Sequence, residues 1–145
     1  MRNLYYIIAL IFLLCSCETR EDINKTRNTS PLLFVGIENN DVNFVEISDT
    51  LKNFDSSVYY YKSSDDSNLN LAHTVELEFI GDNSVIKDSV NVSINEITNE
   101  IEVKTLLNSK TTNSTYHFNV YIIATDIYGL TSRSKISISI IGNRP

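Results

Sequence analysis

Three places in this sequence carry side chains able to do chemistry. In Ala124-Thr-Asp-Ile-Tyr-Gly-Leu-Thr-Ser132, a carboxylate, Asp126, stands three residues before a glycine, and a pair of acids, Asp65 and Asp66, lies in the polar run Ser63 to Asn68. Carboxylates can gather around Ca²⁺, which takes about six to eight oxygen ligands, so a calcium site here needs these three acids and further donors besides. The run Val58-Tyr59-Tyr60-Tyr61-Lys62 offers aromatic rings on which a sugar ring could stack. Near the N-terminus, Cys17 is a thiol nucleophile and a candidate for modification.

Other catalytic chemistry finds little in the chain. His73 and His117 stand beside no nucleophile motif, G-x-S-x-G and H-E-x-x-H are absent, and the 4 glycines could hardly form a phosphate-cradling loop. Same-face acids such as Glu76 and Glu78 fit a solvated strand surface. The reading is therefore of a protein that is not an enzyme and needs no cofactor. With 12 basic and 18 acidic residues the net charge is −6, a sign that repels phosphate backbones and makes nucleic acid an improbable partner.

These candidate residues must be positioned by whatever follows the N-terminal segment. Met1-Arg2-Asn3 precedes an apolar run from Leu4 to Leu14 and then Cys15-Ser16-Cys17, the pattern of a secretory signal peptide. As a helix the run would be about 16 Å long, against about 30 Å of bilayer hydrocarbon, so removal is expected over retention as a span. Both cysteines lie in this leader, and no internal disulfide or thiolate metal site is available to the rest. Residues Glu18 to Ser30 hold one aliphatic side chain and read as a flexible tether. The expected organisation is a signal peptide over 1–16, a tether over 17–30 and one domain over 31–145.

Leu14-Cys-Ser-Cys17 resembles the bacterial lipobox, with leucine three residues before a cysteine and a small residue directly before it. The resemblance implies that the Cys17 thiol receives diacylglycerol and that Cys17 becomes the new N-terminus, anchoring the protein to a membrane. Arg20-Glu21-Asp22 resembles the export signal of Bacteroidota lipoproteins, which implies an outer-membrane location with display at the cell surface. Asp49-Thr50-Leu51 and Asp88-Ser89-Val90 resemble the O-glycosylation sites of the same group.

From Pro31 onward the apolar period is two. Tyr116, Phe118, Val120, Ile122 and Ala124 alternate with polar neighbours, as do Ile136, Ile138 and Ile140, Val75, Leu77 and Phe79, and Ile101 and Val103. Further strands are predicted over Leu32–Ile37, Val42–Ile47, Val58–Lys62 and Val90–Ile94. Turn-forming runs at Glu38–Asp41, Ser63–Asn68, Gly81–Ser84 and Asp126–Gly129 separate them. One-face alternation with tight turns predicts an all-β, antiparallel two-sheet sandwich of 7–8 strands.

The later half of the chain resembles the C-terminal half of a cadherin-type repeat, with elements shared by immunoglobulin-like sandwiches. Ile94 to Val103 match a strand-turn-strand around a T-G-x-I step with Asn99 for glycine; Tyr116-x-Phe118-x-Val120, Ala124-x-Asp126 and Gly129 follow in order, and Asn143 and Pro145 echo an N-x-P linker. In that family the A-x-D aspartate binds calcium with acids from three other motifs. Here the L-D-R-E position reads Leu106-Leu-Asn-Ser109, the D-x-D turn reads Asp65-Asp-Ser-Asn68, and the linker reads Ile141-Gly-Asn-Arg-Pro145. Asp126, Asp65 and Asp66 remain the calcium candidates, and the expected role of Asp126 is a turn residue bonding nearby amides. The functional expectation is a lipid-anchored binding or adhesion module for an unknown protein or glycan partner. Two alternatives stand beside it: an accessory glycan-binding lipoprotein of a polysaccharide-uptake system, and an assembly lipoprotein without a small ligand.

Overall fold

The computed structural model describes residues 28–52, 55–66, 70–81, 86–106 and 115–141. The signal peptide, Cys17, the Arg20-Glu21-Asp22 signal, most of the tether, and the Leu107–Ser109 and Gly142–Pro145 segments lie outside them. Eight strands form: β1 (Leu32–Gly36), β2 (Glu46–Lys52), β3 (Ser56–Ser64), β4 (Ala72–Ile80), β5 (Val90–Asn95), β6 (Glu100–Thr105), β7 (Thr115–Thr125) and β8 (Thr131–Ile141). They make two four-stranded sheets, β1-β3-β6-β5 and β2-β8-β7-β4, packed as an all-β sandwich.

The alternation seen in the sequence builds this core directly. Phe118, Val120, Ile122 and Ala124 of β7 and Ile136, Ile138 and Ile140 of β8 point inward and are essentially unexposed. Opposite them lie Val35 of β1, Tyr59 and Tyr61 of β3, and Ile101 and Val103 of β6. Each such side chain contributes about 1.5–3 kcal/mol by leaving water, and together they replace the cross-links the domain lacks.

Two departures from the sequence expectation stand out. The predicted strand Val42–Ile47 is instead a crossing segment with a single bridge, Phe44 to Val35, and the strand proper begins at Glu46. Gly36 explains why the crossing is tight: a Cβ there would overlap the Asp41 carbonyl oxygen and come within 2.9 Å of the Val42 Cα. The sandwich is also not wholly antiparallel, because β2 runs parallel to β8, with Glu46 opposite Lys135 and Lys52 opposite Ile141. The chain leaves β1 at the edge of one sheet and crosses to the edge of the other, so β2 arrives in the direction of β8 without any hairpin.

Serine hydroxyls close that side of the molecule. Ser134, buried on β8, donates to the Leu33 carbonyl at 2.7 Å, and Ser132 donates to the Pro31 carbonyl. These bonds satisfy backbone acceptors of the edge strand β1, which would otherwise lie unpaired between the sheets.

Candidate functional site

Asp126 is a turn residue. It is buried at 5% exposure, and its Oδ1 accepts the Tyr128 and Leu130 amides, both at 2.8 Å. Its Oδ2 accepts the Asn28 side-chain amide. Gly129 follows at φ +85°, a left-handed conformation that L side chains avoid, which is why glycine ends this turn. Both oxygens of the carboxylate therefore accept from N–H donors of the protein, as the turn-residue expectation requires.

The other two acids lie apart from that carboxylate in role. Asp66 Oδ2 accepts the Thr29 backbone amide at 3.2 Å and its hydroxyl at 2.9 Å. Asp65, partly buried, lines a hollow of about 300 Å³ with Thr29, Ser30, Leu32, Ser64 and Asp66. Asp126 and Asp66 thus fasten residues 28 and 29 to the end of the sandwich. Among the described residues no three His, Cys, Asp or Glu side chains converge as a metal centre would require.

The three-tyrosine platform is corrected by strand parity. Tyr59 and Tyr61 point inward, at 0% and 3% exposure, and only Tyr60 faces outward, partly buried. The Tyr59 hydroxyl donates to Asp49 Oδ2 at 2.8 Å, and burial, reinforced by that carboxylate, pushes its phenol well above the ordinary range. Tyr61 packs on the His73 ring at 4.9 Å between centroids, and burial raises its phenol too.

Next to Tyr60 in register, the outer face of the β1-β3-β6-β5 sheet forms a recess of about 330 Å³, lined by Val58, Ser93, Asn95, Glu100 and Glu102. That is at the lower end of the roughly 300–1,000 Å³ of small-ligand sites. Register assembles it: Tyr60 of β3 stands opposite Glu100 of β6, which stands opposite Asn95 of β5, and one row on Val58, Glu102 and Ser93 align in the same way. The turn joining β5 to β6 shapes one end. Asn99 there adopts φ +56°, the left-handed conformation that the glycine of the resembled step would take, and Asn95 Oδ1 accepts the Ile97 amide at 3.0 Å. Thr98 donates its hydroxyl to Glu100 Oε2 at 2.8 Å. Glu102 accepts Ser56 at 3.1 Å and pairs with Lys104 at 2.9 Å, and the Lys104 bond holds its carboxyl below the usual range. An apolar side chain, a hydroxyl, an amide and two carboxylates thus share one concave surface, with the outward Tyr60 beside it on β3, a set suited to a ligand with many hydroxyl groups and one apolar face.

Comparison with known proteins supports the fold alone. Neither a protein-family model nor a curated protein matches the sequence. The fold is similar to that of a solved structure described as a nucleoside hydrolase-related hypothetical protein from Saccharophagus degradans that is associated with carbohydrate metabolism, with a TM-score of 0.52 and 16% identity. The similarity covers 82% of this chain and 27% of the other, so this chain spans about a quarter of that protein.

Two more polar clusters were not foreseen from sequence. On the outer face of the second sheet, Glu78 accepts Asn119 at 2.9 Å and Tyr121 at 2.7 Å, while the Arg133 guanidinium lies 3.4 Å over the Tyr121 ring and pairs with Glu76. Its members hold one another, and the stacked guanidinium covers the ring, leaving no stacking surface like that of Tyr60. Between the sheets, Ser63 meets His73 Nε2 at 2.8 Å, and His73 Nδ1 lies 3.5 Å from Glu96. The order resembles a nucleophile–base–acid chain, but Ser63 faces inward on β3 beside Tyr61, and the chain serves as a clasp from β4 to β3 and the β5–β6 turn. Only the third dimension shows these groups together, since their members come from strands distant in sequence.

Proposed function

We propose that this chain is a non-catalytic, saccharide-binding module tethered to a cell envelope of the Bacteroidota type by a lipid on Cys17. The observation that carries the reading is the outward recess in which strand register brings together Val58, Ser93, Asn95, Glu100 and Glu102, with Tyr60 beside it opposite Glu100. Saccharides fit it because a sugar presents an apolar face for an aromatic ring and hydroxyls for carboxylate and amide partners. The carbohydrate-metabolism association of the similar solved protein agrees with that choice. The Leu14-Cys-Ser-Cys17 motif and the polar tether support anchoring at the outer membrane with display at the surface, and the acidic net charge of −6 argues against a nucleic-acid partner. Among the described residues no helix is long and apolar enough to cross a membrane.

Native electrophoresis through gels containing neutral polysaccharides tests the binding; retarded migration, relieved by Tyr60→Ala, is expected, and unretarded migration in every gel refutes it. For the anchor, full-length protein should incorporate labelled palmitate and Cys17→Ala should not; label retained by the variant refutes lipidation there. A protein partner is the second reading, favoured by Ile37, Phe44 and Val45, which sit exposed together on the crossing between β1 and β2.

A further inference from the structure

We propose that Glu100 makes the recess selective for uncharged saccharides and turns away those bearing carboxylates, an inference that rests on the saccharide reading above. The two carboxylates of the recess differ in what they hold. Both oxygens of Glu102 are committed, Oε1 to the Ser56 hydroxyl and Oε2 to the Lys104 ammonium. Its charge is answered within the protein, and its place is beside the pair at the edge of the surface.

Glu100 accepts one neutral donor, the Thr98 hydroxyl on Oε2, and no ion pair among the described residues includes it. Oε1 therefore keeps its acceptor capacity for a ligand. The two cations on this face stand away from it: Lys104 is bound to Glu102, and Lys62 lies two residues beyond Tyr60, opposite Phe34. Across the strand gap, Asn95 spends its Oδ1 on the turn amides of Ile97 and Thr98, which leaves its Nδ2 as a donor. With strands about 4.8 Å apart, one sugar hydroxyl can donate to Glu100 while a neighbouring oxygen accepts from Asn95.

A carboxylate brought into the same place would meet a like charge with no unpaired cation beside it among the described residues. At about 5 Å and effective dielectric constants of 20–80, that repulsion weakens binding by about fourfold to a few hundredfold, and salt reduces it.

Dissociation constants measured by calorimetry on full-length protein in detergent test the inference. The probes are oligosaccharides of glucose, mannose, galactose and xylose, and length-matched oligoglucuronate, oligogalacturonate and oligomannuronate. The wild type should bind at least one neutral series about tenfold more tightly than its uronate counterpart at low salt. Glu100→Gln should narrow that ratio severalfold by strengthening uronate binding, and Glu76→Gln, on the outer face of the other sheet, should leave the ratio unchanged. Equal affinities in the wild type, or a ratio that Glu100→Gln does not move, would overturn the selectivity while leaving saccharide binding in place. Failure of every probe to bind would overturn the saccharide reading and this inference with it.

Discussion

The Tyr59 hydroxyl donates to Asp49 Oδ2 at 2.8 Å, joining β3 of one sheet to β2 of the other across the sandwich. Ile47, Asp49 and Leu51 share the inward face of β2, so an acid stands where a hydrophobe would be expected, and the phenol is what makes its burial tolerable. Removing the donor should cost about 2 kcal/mol, the range for hydrogen bonds to charged groups. Tyr61 provides the internal contrast, because its hydroxyl is buried with no partner among the described residues. Urea denaturation should show Tyr59→Phe clearly destabilised and Tyr61→Phe neutral or slightly more stable; equal losses in the two variants would contradict the distinction.

Asp126 should behave as a structural residue. Its carboxylate satisfies two amides of the β7–β8 turn and the Asn28 side chain, so Asp126→Ala should lose about 2–4 kcal/mol and Asp126→Asn distinctly less, since the amide oxygen still accepts. Wild-type melting points in excess chelator and in millimolar Ca²⁺ should coincide, because a ligand binding only the folded state would raise the melting point. A rise of several degrees with calcium would restore the metal reading.

Gly36→Ala tests the crossing between β1 and β2. The added methyl meets backbone atoms of Asp41 and Val42, which cannot rotate away as a side-chain tip can, so a loss of about 2 kcal/mol or more is expected in thermal denaturation. A fully stable variant would mean that the crossing loop yields.

Much of this fold is legible in the sequence, and the reason is burial on one face. The inward parity of Phe118, Val120 and Ile122, and of Ile136, Ile138 and Ile140, follows from simple alternation, as do the turns at Glu38–Asp41 and Asp126–Gly129. The β2 strand is not legible in the same way. Its inward residues are Ile47, Asp49 and Leu51, with a carboxylate breaking the apolar pattern, whereas the predicted strand Val42–Ile47 looks more strand-like and is the crossing up to Val45. The tyrosine run shows parity from the other side: Val58 to Lys62 reads as strand, but which of the rings face solvent depends on β3 lying inside its sheet between β1 and β6. The recess is less legible still. Glu100 and Asn95 are recognisable as outward residues of their strands, but their alignment with Tyr60 is set by two pairing registers that no local pattern encodes.

Acid should destabilise the protein through Glu78 and Glu102. Hydrogen bonds from Asn119 and Tyr121 hold the Glu78 carboxyl below the usual carboxylate range, and the Lys104 bond does the same for Glu102. The unfolded chain then takes up protons at a higher pH than the folded one. The stability these groups contribute is fully present above about pH 4.5 and is lost as pH falls through their folded-state values. Denaturant midpoints followed from about pH 6 to 3 should fall less steeply for Glu78→Gln than for wild type. Identical acid limbs would show that the network on the second sheet does not bind its proton-linked charge as the geometry implies.

The central claim is that the outer face of the β1-β3-β6-β5 sheet holds the ligand. Backbone amide shifts recorded while neutral oligosaccharides are titrated into the protein test it most directly. The account predicts perturbations gathered at Tyr60, Ser93, Asn95, Glu100 and Glu102. Perturbations confined to the opposite sheet around Tyr121 and Arg133, or none with any sugar, would contradict it.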